Sequence, residues 1–410
     1  MKIKETLKNP LIRGSLILLI TFNIFNLLNF VFQFSMARML PIAEYGTLAT
    51  LFSLIYITGI FSEPIQTVIT KFSVSQKGDG ELKNFLKKGL RKSLSVSLIV
   101  FICYAIISVP LSFLLKIDYL LLFLNGGMIF AAFLPPITKG VMQGKKMFGS
   151  LGTNLMIEGV IKLGFAVGLV YIGWHIYGAL TATILGFLFA LVVSFFSLRK
   201  VFKAKERKAE LGDIYNYTRP VFFVLLFLLV FYNIDIILAK MFFEADIAGT
   251  YAIASILGKI IFMGTAAISK VMFPLSSSNG NSKENKRKIL FNSLGILSLC
   301  SIVALAVFFF FSKDLVLFYS GKTIVLSASI LPILAIASIF ISFANLILLY
   351  NLSIGKIKGY LLLAIPVLIE ALILWKTSYN LESFSIGFLV SSVIFLIFSL
   401  FSLRNNSDKP

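Results

Sequence analysis

The stretch AKMFFEADIAGTYA at residues 239–252 repeats, in order and to within one residue in spacing, matched residues of the stretch ARMLPIAEYGTLAT at residues 37–50. Ala37, Arg38 and Met39 answer to Ala239, Lys240 and Met241 at an offset of 202, and Gly46, Thr47 and Ala49 answer to Gly249, Thr250 and Ala252 at an offset of 203. Each stretch follows a long apolar run and precedes another. A second pair of glycines, Gly144 in QGKK and Gly355 in IGKIK, falls after the fourth apolar run of each half. Short matches in apolar sequence arise by chance and each alone is weak evidence; their shared order is better evidence, and it points to two six-helix halves.

The surroundings of these stretches fix the solvent. The 410 residues are 58% hydrophobic and 14% charged, with a mean hydropathy of +0.94, against roughly half apolar and a quarter charged in soluble proteins. Apolar runs bounded by charge, Gly or Pro read as twelve membrane spans, at about 14–35, 47–69, 93–113, 119–138, 150–171, 178–198, 220–239, 250–269, 289–311, 324–350, 359–375 and 384–403. The expected fold is therefore an all-α integral membrane protein with no large extramembrane domain. The first run follows a basic start, yet its length and the lack of an A-x-A site make it a retained helix rather than a signal peptide.

The net charge of +20 would suggest nucleic acid in a soluble chain. Here it sorts by connection. Thirty of the 38 Lys and Arg fall in the termini and in alternate connections (70–92, 139–149, 199–219, 270–288 and 351–358), six fall in the other set, and Lys162 and Lys259 lie within spans. Cytoplasmic loops carry such an excess, so both termini are expected in the cytoplasm of a multi-pass protein of the cytoplasmic membrane. Six spans per half then make the repeats parallel, related by a pseudo-twofold along the membrane normal. The expected organisation is a six-helix lobe at 1–198, a basic cytoplasmic linker at 199–219 and a second six-helix lobe at 220–410. The basic loops also attract anionic lipid headgroups.

Several chemistries are excluded on residue supply. Cys103 and Cys300 both sit in apolar runs and His175 is the only histidine, which leaves no disulfide framework, no ordinary zinc site and no His-based nucleophilic catalysis. There is no GxxxxGK[ST] nucleotide loop. No catalytic residue, metal or cofactor is expected.

Ionisable groups in hydrocarbon are costly and usually meet a cavity or a partner. Six stand out: Glu63, Glu158, Lys162, Asp235, Lys259 and Glu370. Glu158 and Lys162, one turn apart, either pair with each other or line a wet face, and Asn154 on the same stripe favours the second. Asp235, near the outer end of its span, either snorkels or is functional. Glu63 precedes Pro64 and serves either as a cap at a kink or in transport. Lys259 and Glu370 lie deep, which favours a cavity, and Lys259 has no acid one turn away in its own helix. Prolines within or at the ends of spans, such as Pro64, Pro110, Pro220 and Pro332, suit bent helices.

Span one carries Asn23, Asn26, Asn29 and Gln33, which at 100° per residue share one 120° sector. This polar stripe is either glue between helices or a hydrated wall able to hydrogen-bond sugar hydroxyls. The offset of 202 makes Gln33 and Asp235 equivalent positions of the two halves.

The segment bearing Arg38, Leu40, Pro41, Glu44, Tyr45 and Gly46 resembles the signature that follows helix one in polysaccharide (Wzx-type) flippases of the multidrug/oligosaccharidyl-lipid/polysaccharide exporter superfamily. Asn233 and Asp235 through Gly249 resemble that family's helices seven and eight, and Lys139, Gly140, Gln143 and Gly144 its loop after helix four. The resemblance implies a V-shaped pair of six-helix lobes that moves a polyprenyl-(di)phosphate-linked oligosaccharide across the membrane by alternating access, with other polysaccharide-assembly proteins as partners. A diphosphate wants cations, for which Arg13, Lys162, Arg219 and Lys259 are candidates, beside Asn23, Asn26, Asn29 and Gln33 for the glycan. Glu63, Glu158, Asp235 and Glu370 are candidates to balance charge or to carry H+ or Na+. A cation-coupled multidrug exporter of the same superfamily is the first alternative, and the two intramembrane lysines lean away from it. A membrane polysaccharide polymerase or ligase is the second. Its need for a large outer loop with paired acids is unmet.

Overall fold

The computed structural model describes residues 10–75, 78–207, 215–277, 283–356 and 358–401. Seventeen α-helices are present among them: α1 (Pro10–Met39), α2 (Ile42–Thr58), α3 (Ser62–Ser75), α4 (Asp79–Leu115), α5 (Tyr119–Gly126), α6 (Ile129–Phe133), α7 (Pro135–Gly144), α8 (Phe148–Leu169), α9 (His175–Ser197), α10 (Arg199–Lys203), α11 (Tyr215–Phe242), α12 (Ala245–Ser277), α13 (Lys283–Phe310), α14 (Ser312–Ser320), α15 (Val325–Ser353), α16 (Ala364–Lys376) and α17 (Leu381–Phe401).

Ten of the resulting stretches are long and apolar enough to cross a membrane, and two local features reconcile ten with twelve. The stretch 148–197 is two spans. It breaks at Gly173 (φ 94°) and His175 (φ 47°), and Gly178 then lies so close to Leu169 that an added Cβ would sit 3.1 Å from its backbone. Span eleven is short: a 3-10 turn at Tyr360–Leu363 leads into the 13 residues of α16, about 20 Å at 1.5 Å per residue. Spans two and four are interrupted too. A 3-10 turn at Gly59–Phe61 separates α2 from α3, where Glu63 occupies the first turn of α3 just before Pro64, a place that tolerates proline because no helical N–H is lost there. In span four, α5, α6 and α7 follow one another with α7 starting at Pro135.

Contacts divide the chain into two compact units, one of residues 1–40 with 58–214, the other of 41–57 with 215–410. In the first unit, α8 packs on α9 and on α1. Glycines set the approach to α1: a Cβ at Gly152 would stand 2.8 Å from Thr21, and one at Gly159 would stand 2.7 Å from Leu28. The motif at 139–144 is likewise a packing device. Gly140 and Gly144 press α7 against the α3 backbone, where added Cβ atoms would be 2.8 Å from the Gln66 and Thr70 carbonyls, and Gln66 Nε2 donates to Gln143 Oε1 at 2.9 Å.

In the second unit α12 and α15 form the most extensive helix pair. Ser327 donates to the Thr250 carbonyl (2.6 Å), Thr265 to Ser342 (2.9 Å), Asn345 to Ser269 (3.3 Å), and Ser276 meets Ser353 (2.6 Å). The near-constant separation of 76 or 77 residues means that the two helices run parallel in fixed register. Small residues let them approach and hydroxyls join them, the usual solution where apolar side chains gain nothing over lipid.

The same unit takes in α2, which the chain order places in the first half. Its residues are buried nearly all round, Tyr45, Gly46, Leu48, Ala49, Leu51 and Phe52 among them. The repeated glycines explain why. A Cβ on Gly46 would lie 2.5 Å from the Gly249 Cα, and one on Gly249 would lie 2.1 Å from the Ile42 carbonyl oxygen, so the two positions matched by sequence are packed on each other. Tyr45 and Tyr319 then share a buried hydroxyl contact of 2.7 Å. Gly249→Ala will lower the thermal midpoint in detergent, by about 1–3 kcal/mol of overpacking against backbone that no rotamer relieves. Gly264→Ala, in the same helix with nothing within 4 Å of the added Cβ, will leave the midpoint unchanged or raise it.

Candidate functional site

The structure sorts the intramembrane polar groups into one cluster in each unit. In the first, the close α1–α8 contact at Gly152 and Gly159 brings Lys162 of α8 onto the α1 stripe. Lys162 Nζ donates to Asn29 Oδ1 at 3.0 Å and lies 4.1 Å from the centre of the Phe32 ring, so a half-buried cation is held by one amide and one aromatic face. Asn29 in turn donates to the Phe25 carbonyl at 2.9 Å. Asn26 and Asn23, one and two turns further along the same face, are exposed, and Gln33 is half-buried with its Oε1 buried and without a hydrogen-bond partner among the described residues.

Glu158 is drawn elsewhere. Its carboxylate pairs with Lys139 of α7 at 2.6 Å rather than turning one helical turn along α8 to Lys162. Asn154 is not on a wet face: it is fully buried and donates to the Ala190 carbonyl and, at 3.0 Å, to Ser194 Oγ of α9. It is a span-to-span hydrogen bond of the kind common between membrane helices, and the sequence stripe had pointed the other way.

In the second unit a sealed charge cluster forms. Asp235 of α11 has no exposed surface, which removes the snorkelling alternative. It accepts from Lys259 Nζ at 2.7 Å, Ser255 Oγ at 2.7 Å and the Tyr251 hydroxyl at 3.1 Å. All three donors lie on α12 at intervals of four residues, one face of one helix. Lys259 is also buried, 4.8 Å from the centre of the Tyr232 ring, and Tyr232 donates to its carbonyl at 3.3 Å. The acid that Lys259 lacks one turn away in its own helix is therefore supplied by α11. Glu370, on the short α16, is fully buried; among the described residues neither of its oxygens has a hydrogen-bond partner, and Asp235 and Lys259 are near enough for their charges to act on it.

Of the remaining candidates, Glu63 is exposed at the start of α3. Arg13 and Arg219 belong to α1 and α11, and their side chains lie outside the described residues. Three participants were not among the candidate site residues read from sequence: Lys139, quoted only as part of the loop motif after helix four, Tyr251 and Ser255. The spacing of 251, 255 and 259 was the available signal for the last two; Lys139 carried none that distinguishes an ion pair from a loop cation.

Residues 35–325 match the model of a family described as polysaccharide biosynthesis protein. An uncharacterized membrane protein of Methanocaldococcus jannaschii is 26% identical over 397 residues, covering 91% of this chain and 93% of that protein. Among solved structures, an inward-facing multidrug resistance MATE family transporter of the MOP superfamily aligns with a TM-score of 0.72 at 12% identity over 92% of this chain and 93% of its own. The lipid II flippase MurJ, in an inward closed conformation, aligns with a TM-score of 0.69 at 16% identity over 94% and 87%. The fold is that of these transporters.

The Asp235–Lys259 pair gives a direct test. Lys259→Met will leave a buried carboxylate uncompensated, a cost of about 3–5 kcal/mol, while adding Asp235→Asn to it will restore most of the loss. Thermal unfolding of the two variants in one detergent measures the difference, and equal midpoints would show that the pair is not coupled.

Proposed function

This chain belongs to the family of polysaccharide biosynthesis proteins, and from that membership we propose that it is a flippase: it carries a polyprenyl-(di)phosphate-linked oligosaccharide across the cytoplasmic membrane by alternating access, without a hydrolytic or transferase step. The observation that carries the reading is the polar face of α1 with a cation on it. Asn23 and Asn26 are exposed and Lys162 is held beside Asn29, in a span that is otherwise apolar. Amides can replace water around sugar hydroxyls without fixing a charge, and the ammonium suits a phosphate.

Lys259 is less suited to that task than Lys162, because its charge is already taken up by Asp235. The second cluster fits coupling better. The two unpartnered oxygens of Glu370 are the coordination positions that a proton or a sodium ion would take, and the neighbouring Asp235–Lys259 pair would register the change in charge. Both termini and the basic connections face the cytoplasm in this scheme, which the distribution of Lys and Arg supports.

Proteoliposomes loaded with a labelled polyprenyl-diphosphate oligosaccharide test the proposal. Asn26→Leu and Lys162→Ala should each slow translocation at least tenfold with the thermal midpoint unchanged. Wild-type rates in both, at equal protein, would remove the α1 face from the substrate path, and transport of organic cations in place of the glycan would favour drug export. Glu370→Gln should abolish the response to an imposed ion gradient without lowering stability, since no hydrogen bond to the carboxyl is lost. The orientation is read separately: after Cys103 and Cys300 are replaced, an impermeant thiol reagent on intact cells should label a cysteine at Tyr379 and spare one at Lys203.

A further inference from the structure

The end of α9 and the short α10 build a groove that the transport scheme does not use. Val192, Phe195 and Phe196 of α9 and Arg199, Phe202 and Lys203 of α10 enclose about 460 Å³. The Phe195 and Phe202 rings meet edge to face at 5.5 Å and form its floor. Val192 and Phe196 are 51% and 70% exposed, on a span whose Leu188 and Phe189 are exposed as well, so the groove opens on the face of the span that meets lipid. Its cations do not arise from a disordered tail. Leu198 and Val201 are buried in the apolar cluster with Leu82, Phe85, Leu86 and Ile137, which fixes α10 and leaves Arg199, Lys200 and Lys203 exposed. The acid closest in sequence, Glu206, is engaged by α4: Lys87 and Asn84 donate to it at 3.0 and 2.7 Å. It leaves the positive charge of α10 uncancelled.

We propose that this groove is a binding site for an anionic glycerophospholipid of the surrounding bilayer, with an acyl chain on the Phe195, Phe196 and Phe202 surface and the phosphate between Arg199 and Lys203. An apolar shelf that ends in two fixed cations at the basic end of a span matches an acyl chain that ends in a phosphate, and guanidinium and ammonium groups are the usual phosphate partners. The lining has no amide or hydroxyl side chain, which sets it apart from the α1 face and argues against a glycan-bearing lipid as the occupant.

Native mass spectrometry of the full chain, purified with equimolar dioleoyl phosphatidylglycerol and dioleoyl phosphatidylcholine, tests this. The wild-type protein should retain one phosphatidylglycerol in preference to phosphatidylcholine. Arg199→Gln with Lys203→Gln should reduce that retention at least fivefold, and Arg91→Gln with Lys92→Gln, an equal loss of exposed charge on α4, should not. Equal loss in both double variants would mean diffuse attraction to the basic face and would overturn the site. A second readout keeps both cations: with Phe196→Trp, brominated phosphatidylglycerol should quench the added indole fluorescence, measured against the parent protein, more than brominated phosphatidylcholine does at the same mole fraction. Equal quenching by the two lipids would overturn the proposal.

Discussion

Hydrocarbon offers no hydrogen bonds, and nearly every feature of this protein follows from that single lack. A backbone placed in it must satisfy its own N–H and C=O groups, which helices do within one segment. Where the chain departs from the helix, at Gly59–Phe61, at 173–175 and at Tyr360–Leu363, it does so next to other helices or at the end of a span. Side chains face the same demand. Many Ser, Thr and Asn side chains in the spans bond either to a carbonyl one turn back, as Thr50 and Thr183 do, or across to a neighbour, as along the α12–α15 seam. Since the apolar surface gains nothing by leaving lipid, these hydroxyls and the glycines that permit close approach determine which helices are partners.

The duplication gains a physical meaning from this constraint. Gly46 and Gly249 are matched in sequence and touch in space, so the repeat preserves the one residue type able to bring the two backbones together there. Arg38 and Lys240, matched in the same way, diverge. Arg38 is exposed with its guanidinium 4.5 Å from the Phe34 ring, whereas Lys240 is buried. The equivalent pair Gln33 and Asp235 diverges further, one an amide with an unpartnered oxygen and the other a carboxylate with three donors. At these matched positions the residue that allows close backbone approach is shared, while the polar chemistry differs.

Legibility in the sequence follows the range of the interaction concerned. Twelve spans were readable because each is a local run near the thickness of a bilayer, and Lys259, Asp235 and Glu370 were readable as costly residues. Their partners were not. Glu158 had a local partner within reach, Lys162, and the structure instead pairs it with Lys139 across a helix boundary. Asn154 reads as a wet stripe beside those charges, but the stripe points at α9, a matter of helix rotation that one segment's periodicity does not set. Likewise α2 reads as an ordinary second span; its place in the unit formed by 215–410 depends on the approach of two glycines roughly two hundred residues apart.

In the proposed scheme, accessibility more than charge count distinguishes the two polar clusters. A group that must meet a bulky hydrated substrate has to be reachable, and a group that reports a small ion need not be. Asn23 and Asn26 are exposed and Lys162 is half-buried. Asp235 and Lys259 are buried against each other, and drawing either one to a headgroup would strand its partner in a medium where an unpaired charge costs several kcal/mol. Glu370 is the exception within that sealed cluster, a carboxyl whose two oxygens have no donor. Holding a buried carboxyl without donors costs stability, and in the proposed scheme a small cation would be the ligand whose size and charge suit it.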